Sequence, residues 1–298
     1  MRMSAMCMGC VVRSQTEMLA EIEASERKKS EHMQAILTLI GQRAHDDTPQ
    51  RLFYLIDQMQ IERFGFGEDM SEIKMRYNAH MMKLLPRIAE RVKAAPDPLM
   101  SAICHAQAGN YIDFATVQVS DDELFELLER AADLSLPMQA YQAFLEDLAG
   151  AKTLTYLLDN AGEIVLDKLL MEQILVRFPQ IQITAMVRGA LTKNDCTIED
   201  AEQVGLYDLV HVVDNGTPLA GTELSCMPRD RRAIVTGADM IISKGQGNCE
   251  TLSGCGLNIW YMFLCKCDWF VKRLQMPRNT PMFVNERDVD VSLYVDEG

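Results

Sequence analysis

After residue 150 the chain alternates between two kinds of apolar pattern. Short apolar runs of strand length occupy residues 153–158, 181–187, 209–213, 240–243, 258–264 and 281–284, and helical spacing governs 163–178, 197–204 and 226–235 between them. Alternation of this kind implies βαβ units, in which the strands run parallel and helices cover the sheet. Before residue 150 the pattern is helical almost throughout. Met18, Leu19, Ile22, Met33, Ile36, Leu37 and Ile40 recur at helix-like intervals over residues 15–41, and further helices are expected over 49–61, 71–93, 99–108 and 120–134. Asp47-Thr48-Pro49 has the form of a cap followed by a proline in the first turn, while Gly65 and Gly67 mark a loop and Pro96 and Pro98 punctuate the chain. The organisation expected is a helical N-terminal domain over residues 1–150 and an α/β domain with a mainly parallel sheet over residues 151–298.

In an open parallel sheet, ligands bind beyond the carboxyl ends of the strands, so the residues that follow each strand are expected to converge. After the first strand comes Asp159-Asn160-Ala161-Gly162-Glu163: two oxygen donors, a glycine for a tight turn, and an acid at the positive end of the next helix. Arg188-Gly189 and then Lys193-Asn194-Asp195-Cys196-Thr197 follow the second, and Asp214-Asn215-Gly216-Thr217 the third. The fourth leads into Lys244-Gly245-Gln246-Gly247-Asn248, and the fifth into Lys266. Glycines flanking polar residues let backbone N–H groups approach an anion, which Lys244 or Lys266 could neutralise. The carboxylates and the Asn160 amide suit a hard divalent cation such as Mg2+ or Mn2+. One metal beside one anion cradle is the equipment of phosphoryl chemistry. The same residues also serve as ordinary caps and turns, Asp195 or Thr197 before the next helix among them. Asn110 and Asp113, polar residues in an apolar context, either pair structurally or face a site.

A formal net charge of −14 argues against a nucleic-acid surface, which needs clustered Lys and Arg. No apolar run is long enough to span a membrane, and the first residues lack a secretory apolar core. Nine cysteines, an odd number scattered through the chain, fit a reducing cytoplasm better than a disulfide framework. Cys7-Met8-Gly9-Cys10 has the spacing of half a zinc or redox site. It supports an alternative in which the protein is a non-catalytic metal- and ligand-binding or redox-sensing protein, with Cys7 and Cys10, joined by Cys265 or Cys267, holding zinc or responding to oxidation. A kinase-like phosphotransferase is a third reading, but neither GxGxxG after the first strand nor the Walker lysine pattern is present.

Taken together, Cys7-Met8-Gly9-Cys10, Ala108-Gly109-Asn110-Tyr111-Ile112-Asp113-Phe114, Asp159-Asn160-Ala161-Gly162-Glu163, Asn194-Asp195-Cys196-Thr197, Ser243-Lys244-Gly245-Gln246-Gly247-Asn248 and Lys266-Cys267 resemble the metal-dependent damage-control phosphatases. This is the ARMT-like family, formerly a domain of unknown function, and the CxxC resembles its archaeal and bacterial branch. The resemblance implies a helical domain packed on a three-layer α/β/α, Rossmann-like domain. It also implies hydrolysis of small phosphate monoesters, such as sugar phosphates or damaged phosphometabolites, with a divalent ion (Mn2+, Ni2+, Co2+ or Mg2+). Asp159, Asn160 and Asp195 match the family's metal-binding and catalytic residues, Glu163 a substrate contact, residues 246–250 the substrate-binding loop and Lys266 the phosphate-holding lysine. Asn110 and Asp113 are then expected to close over the substrate. The eukaryotic branch carries an Arg-Thr pair where Leu264-Cys265 stands here, so substrate preference does not transfer.

Overall fold

The protein was analysed as a computed structural model, in which residues 3–43, 47–65, 69–110, 121–133 and 136–289 are described. Seven helices come first: α1 (Ala5–Glu21), α2 (Glu26–Arg43), α3 (Pro49–Phe64), α4 (Ser71–Ala94), α5 (Pro98–Gly109), α6 (Asp121–Ala132) and α7 (Met138–Gly150). The single helix expected over 15–41 is two, broken at residues 22–25, where the Ser25 hydroxyl accepts the Lys28 N–H and starts the second. Thr48 caps α3 with Pro49 in its first turn, as its sequence suggests.

Strands and helices then alternate: β1 (Thr153–Leu157), α8 (Glu163–Arg177), β2 (Gln182–Val187), α9 (Ile198–Gln203), β3 (His211–Asp214), α10 (Arg229–Thr236), β4 (Met240–Lys244), α11 (Gln246–Leu252), β5 (Ile259–Leu264), α12 (Asp268–Leu274) and β6 (Pro281–Asn285). The six strands form one sheet in the order 3-2-1-4-5-6. Neighbours from β3 to β5 are parallel, and only β6 runs antiparallel, against β5. This is the doubly wound order, with its switch point between β1 and β4.

Alternation along each strand separates two cores. Leu154, Tyr156, Ile242, Trp260 and Met262 face a large cluster built from α4 to α9. Leu157, Met186, Ile241, Tyr261 and Phe263 face the other, with α10, α11 and α12. Three layers result. The first cluster runs without a break from α4 and α5 through α8 to the sheet, so the helical half and the α/β half share one core across residue 150. A small third cluster joins α1, α2 and α3. Among the described residues no helix is long and apolar enough to cross a membrane.

That third region contains a buried histidine. His32 on α2 is fully enclosed, its ring meets Phe64 edge-on at 5.0 Å, and neither ring nitrogen has a hydrogen-bond partner. Burial, assisted by the charge of Arg63, lowers its pKa below 6.5. A base with a depressed folded pKa contributes stability that is complete above the unfolded value and lost as pH falls through 6.5 toward the folded value. Denaturant titrations are therefore expected to show stability dropping as pH is lowered from 7.5 to 5. The drop should shrink in His32→Phe. Equal pH dependence in the two proteins would exclude His32 as its source.

Candidate active site

The β1–α8 turn is built by its backbone. Gly162 takes φ +78° and its N–H is accepted by the Asn78 side chain of α4 at 2.6 Å, so the helical half shapes the turn. The segment after β2 folds back beside it. Asn160 and Asp195 form an antiparallel bridge, the Ala161 N–H donates to the Asn194 carbonyl at 2.9 Å and the Cys196 N–H to the Asp159 carbonyl at 2.7 Å. Asp159, Asn160 and Asp195 are thereby brought to one place at the switch point. Of the two caps the sequence offers for α9, Thr197 takes the role: it is the N-cap, in a capping box whose Asp200 carboxylate accepts both the N–H and the hydroxyl of Thr197, at 2.8 and 3.0 Å. Asp195 is thus free of the capping role that its position allowed.

The side chains form a layered network. The Asn160 amide donates to Asp159 Oδ2 at 2.7 Å and to Glu163 Oε2 at 3.2 Å. Asn110, at the end of α5, donates to the same two acids at 3.4 and 3.0 Å, while its own Oδ1 accepts the Leu264 N–H at 3.3 Å. It therefore both pairs structurally and faces the site, the two roles its sequence left open. Lys266 is exposed at the end of β5, and its ammonium donates to the Asn110 carbonyl at 2.7 Å. Asp113 falls outside the described residues.

Gly245 takes φ +78° at the start of α11, and a Cβ there would overlap the Asp159 carboxylate. Gln246 donates to Glu250 at 2.7 Å and accepts the Cys267 N–H at 3.3 Å, and Glu250 is also bonded by Gln50 from α3. The close approach of Gly247 to the Ala220 carbonyl leaves no room for a side chain. Asn248 is buried, donating to the Lys244 and Leu158 carbonyls at 2.8 and 3.2 Å. The start of α11 is thus a tight turn whose Gln246 and Gly247 are partly open to solvent.

Lys244 differs from its expected role as an anion ligand. It is fully buried beneath the network, and its ammonium bonds Glu163 at 2.5 Å, Asp167 at 2.6 Å and the Ala106 carbonyl at 2.8 Å. Its three N–H donors are all engaged. Burial works against the charge, but the two carboxylates outweigh it and push the pKa up. Asp167 also accepts the Tyr156 hydroxyl at 2.7 Å, and burial raises its pKa to about 6.

Sequence reading gave Arg188 a place at a strand end but no role. It is almost completely buried and bonds Asp195 Oδ2 through Nε at 2.5 Å and Asn248 Oδ1 through Nη1 at 3.0 Å, with Nη2 at 3.6 Å from Asp159 Oδ1. Burial raises the pKa of Asp159 well above the usual carboxylate range, and the charges of Asp195 and Glu163 add to the effect. Asp195 is raised by burial too, with Arg188 opposing. Four acids, Asp159, Glu163, Asp167 and Asp195, thus crowd against the two buried cations Arg188 and Lys244.

The cysteine pair makes no such cluster. Cys7 and Cys10 lie on α1; Cys7 is half-buried, with the Ser4 hydroxyl 3.1 Å from its sulfur, and Cys10 is exposed. Among the described residues no three His, Cys, Asp or Glu side chains form a group that could hold a metal ion. The set Asp159, Asn160 and Asp195 contains two such residues and an amide.

Strand order and switch point place the protein in the class of doubly wound α/β proteins, with its converging polar groups at the carboxyl edge of the sheet, where ligands bind in such folds. Within that class, residues 3–280 match the damage-control phosphatase ARMT1-like domain, and the chain belongs to this family. A damage-control phosphatase of Archaeoglobus fulgidus is 31% identical over 217 residues, covering 72% of this chain and 74% of the relative. One from Pyrococcus horikoshii is 28% identical over 222 residues, covering 74% and 76%. The crystal structure of a DUF89 family protein from Pyrococcus horikoshii superposes with a TM-score of 0.81 at 24% identity, over 96% of this chain and 99% of that one. At that identity the likeness is one of fold.

Proposed function

We propose that the protein is a metal-dependent phosphatase that hydrolyses phosphate monoesters of small metabolites, sugar phosphates or damaged phosphometabolites. The observation that carries this reading is the charge imbalance at the switch point: Asp159 and Asp195 both lie against Arg188, and Glu163 and Asp167 against Lys244, so four acids share two buried cations that are already paired, while buried Lys74 is taken by Asp200. A dianionic phosphate would be repelled there without a further cation. The donor set fits one, since carboxylate and amide oxygens are the ligands that hard divalent ions such as Mn2+ and Mg2+ take. Asp159, Asn160 and Asp195 would hold it, and such an ion supplies Lewis-acid polarisation of the phosphoryl oxygen.

The rest is done by the chain itself. Lys266 is an exposed cation at the end of β5, its ammonium donating to the Asn110 carbonyl beside the acids, and would take a phosphate oxygen. The first N–H groups of α11 and the Gln246 side chain, on the partly open turn, orient the ester. Asn110 and Glu163 hold each other and Asn160 in position, so their part is to fix the centre. Water completes the hydrolysis, leaving inorganic phosphate and the alcohol.

The relatives named damage-control phosphatases support the reaction class, and membership of the family supports the choice of small phosphorylated substrates. For the redox or metal-binding alternative, Cys7 and Cys267 pack against the same apolar cluster, but among the described residues Cys7 and Cys10 form no group of three with Cys265 or Cys267 that could hold a metal ion. The test is a panel of phosphate esters assayed after chelator treatment and then with Mn2+, Co2+, Ni2+ or Mg2+. Phosphate release that appears on metal addition is the expected result. No release from any ester by protein that demonstrably binds the metal would remove the enzyme reading.

A further inference from the structure

Arg188 occupies an unusual place in this centre. One guanidinium meets three strand ends: its own at β2, Asp159 beyond β1 and Asn248 beyond β4. The Nε bond to Asp195 engages Oδ2 alone. Nη1 bonds Asn248 Oδ1, with the Thr222 hydroxyl at 3.5 Å, and Thr222 itself donates to Asn248 Oδ1 at 2.8 Å. Nη2 is buried and makes no hydrogen bond, standing 3.6 Å from Asp159 Oδ1. Asp195 is therefore clamped by the guanidinium, whereas Asp159 Oδ1 is drawn toward it without a hydrogen bond and Oδ2 is held by Asn160 and Asn110 instead.

We propose that Arg188 is the positioning residue of the reaction centre, setting the separation of Asp159, Asp195 and the start of α11 through the planar fork of its guanidinium. The inference rests on the reading that the two carboxylates take a divalent cation. A fork presents donors at fixed angles in one plane, so bonding Asp195 on one edge and Asn248 on the next fixes where Nη2, and hence Asp159, can lie. A lysine carries the same charge but is a point donor that cannot span these partners. The competing role is that of a counter-ion that only neutralises the acids. The two roles differ in sign, because a pure counter-ion repels a bound metal and its removal tightens metal binding.

The test is Mn2+ binding without substrate, by electron paramagnetic resonance titration at fixed pH, on the parent protein, Arg188→Lys and Arg188→Met. Positioning predicts that Arg188→Lys, though it keeps the charge, binds Mn2+ about 10–100-fold more weakly, the loss typical when groups that orient metal ligands are removed. With a phosphate ester at saturating Mn2+, kcat should fall while KM stays within about twofold, since Arg188 acts through the carboxylates. Parental affinity in Arg188→Lys, or tighter binding in Arg188→Met, would overturn the inference and leave the metal reading intact. A parent protein that binds no divalent ion would remove both. Should Arg188→Lys melt out, Thr222→Val carries the test: it frees Asn248 and Nη1 from one partner and should weaken Mn2+ binding on the order of threefold. Unchanged affinity there would count against positioning.

Discussion

Lys244→Met is expected to remove about 3–5 kcal/mol of folding stability at pH 7, the cost of breaking a buried ion pair from one side. That is a large share of the roughly 5–15 kcal/mol that holds most domains together. Methionine fills the space but leaves Glu163 and Asp167 facing one another with no cation between them. Asp167 already titrates near 6 because burial penalises its charge, with Lys244 opposing that rise. Without the ammonium its pKa climbs further. An acid raised in the folded state binds its proton more tightly when folded, so the variant's deficit should diminish as pH falls and grow as pH rises. Urea titrations at pH 5.5 and 8 check both the size and the sign. Lys244→Met/Asp167→Asn should recover part of the loss, because the amide carries no charge to strand. A deficit below about 1 kcal/mol, with no pH dependence, would mean that the buried carboxylates are satisfied without Lys244.

The position of Lys244 also measures what the sequence allows a reader to see. The alternation after residue 150 fixes strands and helices closely, because strands buried on both faces read as apolar runs between polar turns. The carboxyl-edge rule brings the turn at Asp159-Asn160 and the segment at Asp195 among the candidates, and the family resemblance singles them out. What periodicity does not reveal is which polar groups look inward. A lysine at a strand end resembles a surface cation, and the signal of a buried partner is the pair Glu163 and Asp167, one helical turn apart and flanking the apolar residues Ile164, Val165 and Leu166 of α8. Arg188 is harder still, since its partners come from three separate turns that meet only in the folded sheet. The reversed direction of β6 is equally hidden: it pairs antiparallel with β5, and neither the apolar content of residues 281–284 nor the helix-bearing connection before them, which would also serve a parallel crossover, encodes that direction. At the N-terminus, the break between α1 and α2 is a local capping event within a region of continuous helical periodicity.

Gly245→Ala tests the centre without changing a charge. At φ +78° and ψ 156° the backbone lies in a region open essentially to glycine, so alanine costs about 1–3 kcal/mol before any contact is considered. Its Cβ would also lie 2.5 Å from Asp159 Oδ1 and closer still to Oδ2 and the carboxylate carbon. The carboxylate must move, yet the Asp159 carbonyl is held by the Cys196 N–H and the side chain by Asn160 and Asn110. A displacement near 1 Å at a catalytic group costs on the order of 100-fold in rate. The expected result is therefore a protein that still folds, with lower melting temperature, Mn2+ affinity and kcat. Gly41→Ala is the matched control: that glycine lies within α2 with nothing near its Cβ, and the substitution should stabilise by about 0.5–1 kcal/mol. If Gly245→Ala instead bound Mn2+ and turned over like the parent, Asp159 would have room to swing aside without consequence. Its carboxylate could then be no part of the reacting geometry, and the anion site would have to be sought from Lys266 outward.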